Sequence, residues 1–337
     1  MRPIFALLLL ISAVSFSSPI AAAWLSDFQD IMGTRVSVTL WHEHPPTASA
    51  AVAAVMKEMH RIDAEFSPYI DTSQLSRANR LAPKASEQTP LSISGELTLL
   101  IDKSLAYGRL SDGAFDITFA SLGRYYDYRA RLQPSERQSQ DLLPAINYRL
   151  VHLDTRAQTL YFGNPHVYLD LGGIAKGYAV DRAMALVREL GIKHAHISAG
   201  GDSRVLGDRF GRPWVVGIKD PRAEDAVAIR LPLQDVAIST SGDYERYFID
   251  PDGERVHHIL NPRTGKSTQG IASVSVIGPN GFDTDPLSTT VFVLGVEKGL
   301  KLINALPNFD AIIITTAGDV HYSNGLASPD ELKSEEE

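Results

Sequence analysis

The 337-residue chain contains no cysteine. That excludes a disulfide framework, a cysteine nucleophile and a cysteine-borne lipid anchor. It also lacks any long Lys/Arg run or basic stripe with interleaved aromatics, and its formal net charge is −8. Nucleic acid is therefore not expected as a partner. Beyond the N-terminal segment no apolar run is long enough to span a bilayer, so no stable membrane insertion is expected. An HExxH zinc pattern, a G-x-S-x-G elbow, a P-loop and a dinucleotide fingerprint are all missing.

What is present suits a soluble globular protein. Apolar residues make up 44% and charged residues 21%. The length fits one large domain or two small ones, and no repeat, low-complexity linker or clean boundary divides it. Arg2, the apolar run Ile4 to Val14 and the small residues Ala21-Ala22-Ala23 have the layout of an export signal. An uncleaved anchor is the alternative, but the run is short for a spanning helix. The expected organisation is a signal peptide over residues 1–23, a body over 24–330 and a solvated acidic tail over 331–337. The mature chain is expected to be soluble in the periplasm.

Hydrophobic periodicity predicts helices over Thr47 to Phe66, with Thr47 as cap, and over Ser94 to Leu110. A third runs from about Ile174 to Leu190, stopped by Gly191. Strand-like runs are Val36 to Trp41, His194 to Ser198, Trp214 to Ile218, Ala237 to Thr240, Glu245 to Ile249, His257 to Leu260, Ile271 to Ile277 and Ile312 to Thr316. Pro251-Asp252-Gly253 marks a hairpin turn. Helices come early and strands cluster late without regular alternation. That argues for an α+β fold, a mixed α/β unit, over a doubly wound sheet.

Three segments carry chemistry. In Leu169 to Ala179 a strand-like end passes through Gly172-Gly173 into a helix. Such a junction presents backbone N–H groups to a phosphate, and Lys176 adds a full charge; a turn that simply needs glycine is the bland reading. In Asp283 to Thr289, Pro286 reads as the first helical residue with Asp285 as its cap. Asp285 and Thr289, four apart, could turn their oxygens to one point, a hard-oxygen pair suited to Mg²⁺. In His257 to Gly265 a strand ends in a turn, and only one of His257 and His258 can face a given cleft. Either is a candidate general base. Weaker turns carrying an acid are Ser111 to Asp116, Ser198 to Asp202 and Ser241 to Arg246.

In this order the segments resemble the FAD:protein FMN transferases, the ApbE family. The matching motifs are Met32-Gly33-Thr34, Ser67-Pro68-Tyr69 through Asn79, Gly113 to Asp116, Asp170 to Tyr178, Ala199 to Asp202, Ser241 to Tyr244, His258 to Gly265 and Asp285 to Thr289. They span nearly the whole expected mature chain. The resemblance implies one mixed α/β unit holding FAD in a cleft. It implies FAD contacts at Met32, Tyr69, Ala114, Phe115, Asp116, Asp170, Lys176 and Ile259. It also implies a Mg²⁺ site at Asp285, Thr289 and the Gly173 carbonyl. The implied reaction moves FMN from FAD to a threonine of an acceptor protein and releases AMP; His258, or a nearby carboxylate, is the candidate catalytic base. The implied acceptors are exported redox-complex subunits and FMN-carrier domains. Two departures stand out: many members are lipoproteins, and alanines usually stand where this chain has Thr284 and Pro286. An FAD pyrophosphatase releasing FMN and AMP, and a non-catalytic flavin-binding protein, are the alternatives.

Overall fold

The computed structural model describes residues 23–223 and 226–326. The expected signal peptide and acidic tail fall outside them, apart from Ala23. The hairpin β1 (Ala23–Ile31) and β2 (Thr34–His42) is followed by α1 (Pro45–Phe66) and α2 (Gln74–Leu81). Then come β3 (Leu91–Ser92), α3 (Gly95–Leu110), α4 (Ala120–Gly123), α5 (Glu136–Leu142) and the hairpin β4 (Val151–Asp154) and β5 (Thr159–Phe162). α6 (Ala175–Glu189) leads to β6 (His194–Ala199), β7 (Asp202–Leu206), β8 (Trp214–Lys219) and β9 (Val227–Leu233). β10 (Ala237–Gly242), β11 (Tyr247–Ile249), β12 (Arg255–His257) and β13 (Ile271–Gly278) precede α7 (Gly281–Asn304), β14 (Asp310–Thr315) and β15 (Val320–Tyr322).

An eight-stranded antiparallel sheet in the order β1-β2-β6-β7-β10-β13-β14-β15 is the frame. Its two faces are read directly from alternation along β14. Ala311 and Ile313 join the large core with α1, α6 and α7, while Ile312 and Ile314 join a smaller one with Trp214, Ile218 and Leu233 of the β8–β9 hairpin. Helices thus cover one face and a β-hairpin packs on the other. The α+β expectation holds.

Several sequence expectations shift. β1 pairs with β2 along its full length, so the segment after Ala23 is a strand. α1 begins at Pro45 behind His44, not at a Thr47 cap, because Pro45 and Pro46 fill the first turn, where no N–H partner is needed. The largest change is at α7, which starts five residues before Pro286. Asn280 caps it by accepting the Asp283 N–H, and Pro286 lies inside the helix. Asp285 is therefore not a cap, and its carboxylate is available to another partner.

α6 and α7 cross at glycine. A methyl on Gly177 would lie 2.0 Å from the Gly281 carbonyl oxygen, and one on Gly281 would lie 2.6 Å from the Gly177 oxygen. Only two bare backbones fit here. Asp181 of α6 fastens the junction, its two oxygens accepting the N–H groups of Gly281 and Phe282 at 2.9 Å each.

Candidate active site

Two helix starts and the adjoining strand ends meet at one end of the long sheet. Before α6, Asn79 of α2 brackets Leu169, donating to its carbonyl at 2.9 Å and accepting its N–H at 2.8 Å. That fixes Asp170, which accepts the Gly172 N–H at 2.6 Å and so sets the turn into α6. Lys176, in the first turn, donates to the Gly172 carbonyl at 2.8 Å. Its Nζ lies 3.1 Å from Asp202 and 3.6 Å from Asp285, carboxylates only 2% and 3% exposed. Asp285 Oδ2 also accepts the Gly177 N–H at 2.9 Å across the glycine crossing.

One turn further along α7, Thr289 Oγ1 lies 3.2 Å from Ser241 Oγ, which is 2.8 Å from Ser288 Oγ. Gly173 faces them: a methyl there would stand 3.5 Å from Thr289 Oγ1 and 3.1 Å from the Phe115 ring. Ser241 lies at the end of β10, and the turn that follows is braced by buried Asp243 through two 2.8 Å hydrogen bonds from Arg222. On the other side, Met32-Gly33 forms the two-residue turn of the β1–β2 hairpin, with φ of 57° and 70°. Thr34 packs so closely on Gly200 that a methyl there would be 2.6 Å from its hydroxyl. The Met32 turn and the Ala199 to Asp202 turn are thereby neighbours.

Electrostatics follow from this burial. Burial and then the like charge of Asp202 push the Asp285 carboxyl above its ordinary range, against the pull of Lys176. Burial disfavours the Lys176 charge, but Asp202 and Asp285 outweigh it and hold the ammonium more firmly protonated than usual. Burial also raises Asp170, opposed by the Gly172 N–H and by the charges of Arg246 and Lys176. The histidines split as alternation requires. His257 is buried, its Nε2 2.7 Å from the Thr268 carbonyl, and burial lowers its pKa. His258 turns toward Arg246 and Lys176; burial first, then those charges, push it down to about 3. Its Nδ1 has no hydrogen-bond partner among the described residues. It is thus a neutral imidazole with one ring nitrogen left unpaired.

Most sequence-derived candidates converge here: Asp170, Gly173, Lys176, His258, Asp285 and Thr289, with Phe115 beneath Gly173. Tyr69 stands on the rim, 79% exposed, in the field of Asp170 and Arg246. Ala114 is buried. Asp116 has a different use of its carboxylate, which accepts the Thr118 N–H and hydroxyl and the Tyr148 N–H and so braces the wall. Ile259 is a core side chain whose carbonyl accepts the Thr268 N–H at 3.0 Å. Asp202, Ser241, Ser288 and Arg246 belong to the site yet were absent from the candidate set. Their signals were the Gly200-Gly201-Asp202 and Ser241-Gly242-Asp243 turns, each weak alone.

Fold and site together define a mixed α/β protein with an anion-suited, oxygen-rich cleft at one sheet end. The sequence matches the ApbE family over residues 32–313, and the chain belongs to that family. It is 30% identical over 286 residues to the FAD:protein FMN transferase of Haemophilus influenzae, covering 80% of this chain and 81% of that one. The Escherichia coli K12 protein of the same name is 31% identical over 296 residues, covering 83% and 82%. Among solved structures, the ApbE protein of Thermotoga maritima superposes with a TM-score of 0.81 at 32% identity, covering 90% of this chain and 98% of that one. The flavin transferase ApbE of Vibrio cholerae, at 24% identity and covering 90% and 98%, shares the fold with a TM-score of 0.79.

Proposed function

We propose that this chain is an FAD:protein FMN transferase that moves FMN from FAD to a threonine hydroxyl of an acceptor protein and releases AMP. The observation that carries the reading is Lys176 at the start of α6, held by two buried carboxylates beside three clustered hydroxyls. The N–H groups of Gly173 and Lys176 donate to nothing among the described residues and suit phosphate oxygens.

A divalent cation fits the donor set. Asp285 Oδ1 accepts no hydrogen bond among the described residues, and Thr289 and Ser241 bring hydroxyls to the same place. No cluster of three or more His, Cys, Asp or Glu is placed for a metal among the described residues. The set is therefore hard oxygen: Asp285, Thr289, Ser241 and, by family resemblance, the Gly173 carbonyl. Bound there, Mg²⁺ would supply charge neutralisation for the pyrophosphate.

Lys176 and the α6 turn hold the FAD phosphates. Asp170 orients the turn, and Phe115 and Met32 wall the cleft. His258 Nδ1 takes the threonine proton as the hydroxyl oxygen bonds to the FMN phosphorus. The phosphorus–oxygen bond to the adenylate half breaks, and AMP carries that oxygen away. Burial is the larger cause of the low His258 basicity, and a bound pyrophosphate would offset the part added by the Arg246 and Lys176 charges. The apolar run Ile4 to Val14 supports export, which would place acceptors among exported redox subunits and FMN-carrier domains.

Intact-mass spectrometry tests the reading on an acceptor domain mixed with FAD, Mg²⁺ and protein. A gain of one FMN phosphoryl unit, abolished by EDTA, is expected. Free FMN and AMP without an adduct would make water the acceptor, and no turnover with FAD bound would leave a binding protein.

A further inference from the structure

Among the described residues the β11–β12 hairpin stands outside the long sheet, pairing only with itself. Its ladder fixes which groups are used. His258 N–H donates to the Arg246 carbonyl at 3.2 Å, and Asp250 N–H to Glu254 at 3.0 Å. Arg246, Phe248 and Asp250 therefore face the partner strand with their main-chain groups. Tyr247 and Ile249, the residues between, point their N–H and C=O outward. Among the described residues no strand or side chain meets those four groups. The partner strand has no such opening at His257, whose N–H and C=O are both taken by Ser267.

This edge is also dressed. Tyr247 and Ile249 are 41% and 47% exposed on one face, while Phe248 is buried on the other beside Tyr128. Arg255 lies 3.8 Å over the Tyr247 ring and its Nε is 3.8 Å from Asp243, so its charge is already paired. The edge is continuous with the active site. Its preceding residue is Arg246, whose side chain shares the cross-strand face and the electrostatic field of His258. At about 3.3 Å per residue, Tyr247 and Ile249 lie within roughly 10 Å of Arg246 along the strand.

We propose that β11 is the docking edge for the acceptor protein, whose threonine-bearing segment adds as an extended strand and is led past Arg246 to His258. This rests on the transferase reading. The occupant is an extended segment with main-chain groups free to pair, recognised mostly through its backbone.

Ile249→Pro is the discriminating variant. It deletes one outward N–H and leaves the β11–β12 ladder intact, a position where a sheet tolerates proline. The KM for an acceptor domain is expected to rise about tenfold or more, one main-chain hydrogen bond and a steric obstacle. The dissociation constant for FAD stays within threefold, and Ile249→Thr, which keeps the N–H, retains acceptor KM within threefold. An unchanged acceptor KM in a folded Ile249→Pro protein overturns the proposal. Hydrogen exchange on the wild-type protein supplies a readout independent of any variant. Slower exchange of the Tyr247 and Ile249 amides on adding acceptor is expected, and no change overturns it. Failure of the transferase reading looks different: the wild-type protein would then modify no acceptor at all.

Discussion

Replacing Gly177 by alanine tests the idea that the α6–α7 crossing sets the site. The new methyl would lie 2.0 Å from the Gly281 oxygen and 2.6 Å from the Asp285 Cβ. The first contact is 1 Å short of the 3.0 Å that real Cβ atoms respect, so the helices must part by about that much. Overpacking of this kind costs about 1–3 kcal/mol. Parting also breaks the 2.9 Å bond from Gly177 N–H to Asp285, worth about 1.5–3 kcal/mol as a bond to a charged group. Alanine returns about 1 kcal/mol of helix propensity. The balance is a loss of about 3 kcal/mol, or a melting point lower by roughly 6–12 °C. Because Asp285 moves with α7, kcat/KM should fall by about 100-fold, the usual effect of a 1 Å misplacement. Calorimetry and the mass assay measure the two effects on one sample. A variant that melts at or above the parent with unchanged kcat/KM would refute the reasoning, since the crossing would then be compliant.

Three further outcomes are expected. Asn79→Ala leaves both main-chain groups of Leu169 unpaired in the interior and should cost about 2–4 kcal/mol in chemical denaturation, with a weakened FAD dissociation constant because Asp170 is released. His258→Gln should lower kcat by about 10²–10⁴ while FAD binding stays within threefold; an unchanged kcat removes His258 as the base. Acid should destabilise the protein through its buried histidines. Burial holds His196 at about 4 and His258 at about 3, so between those values and about 6.5 the unfolded chain binds protons that the native one refuses. This histidine contribution is complete above about 6.5 and declines as pH falls, by up to about 1.4 kcal/mol per pH unit for each histidine. Urea midpoints at several pH values check this, and His196→Gln should flatten the slope.

What the sequence revealed depended on how local each signal was. α3 with its Ser94 cap, the end of α6 at Gly191 and the β11–β12 turn are written in adjacent residues, and they appear where expected. α7 misled because Pro286 imitates a first-turn proline. The true start is an Asn280 cap followed by Gly281, a poor helix former placed there by the tertiary crossing. Asp285 and Thr289 were legible as a four-residue spacing on one helix. Asp202 was not, since its place beside Lys176 depends on β7 entering the sheet next to β10, which no local pattern encodes.

The late arrival of β13 bears on how the chain acquires activity. It is the strand buried nearly throughout, and it lies between β10 and β14. α7, which brings Asp285 and Thr289 against Lys176, follows it. A chain interrupted before residue 271 therefore lacks the last three strands of its sheet, β13, β14 and β15, together with half of its chemistry. With antiparallel partners as distant as β2 and β6, assembly must close long loops before contacts reward it, which makes for slow folding. Catalytic competence and completion of the core are then one event. A truncated chain keeps the α6 turn and Lys176 but has neither Asp285 nor Thr289 to set against them.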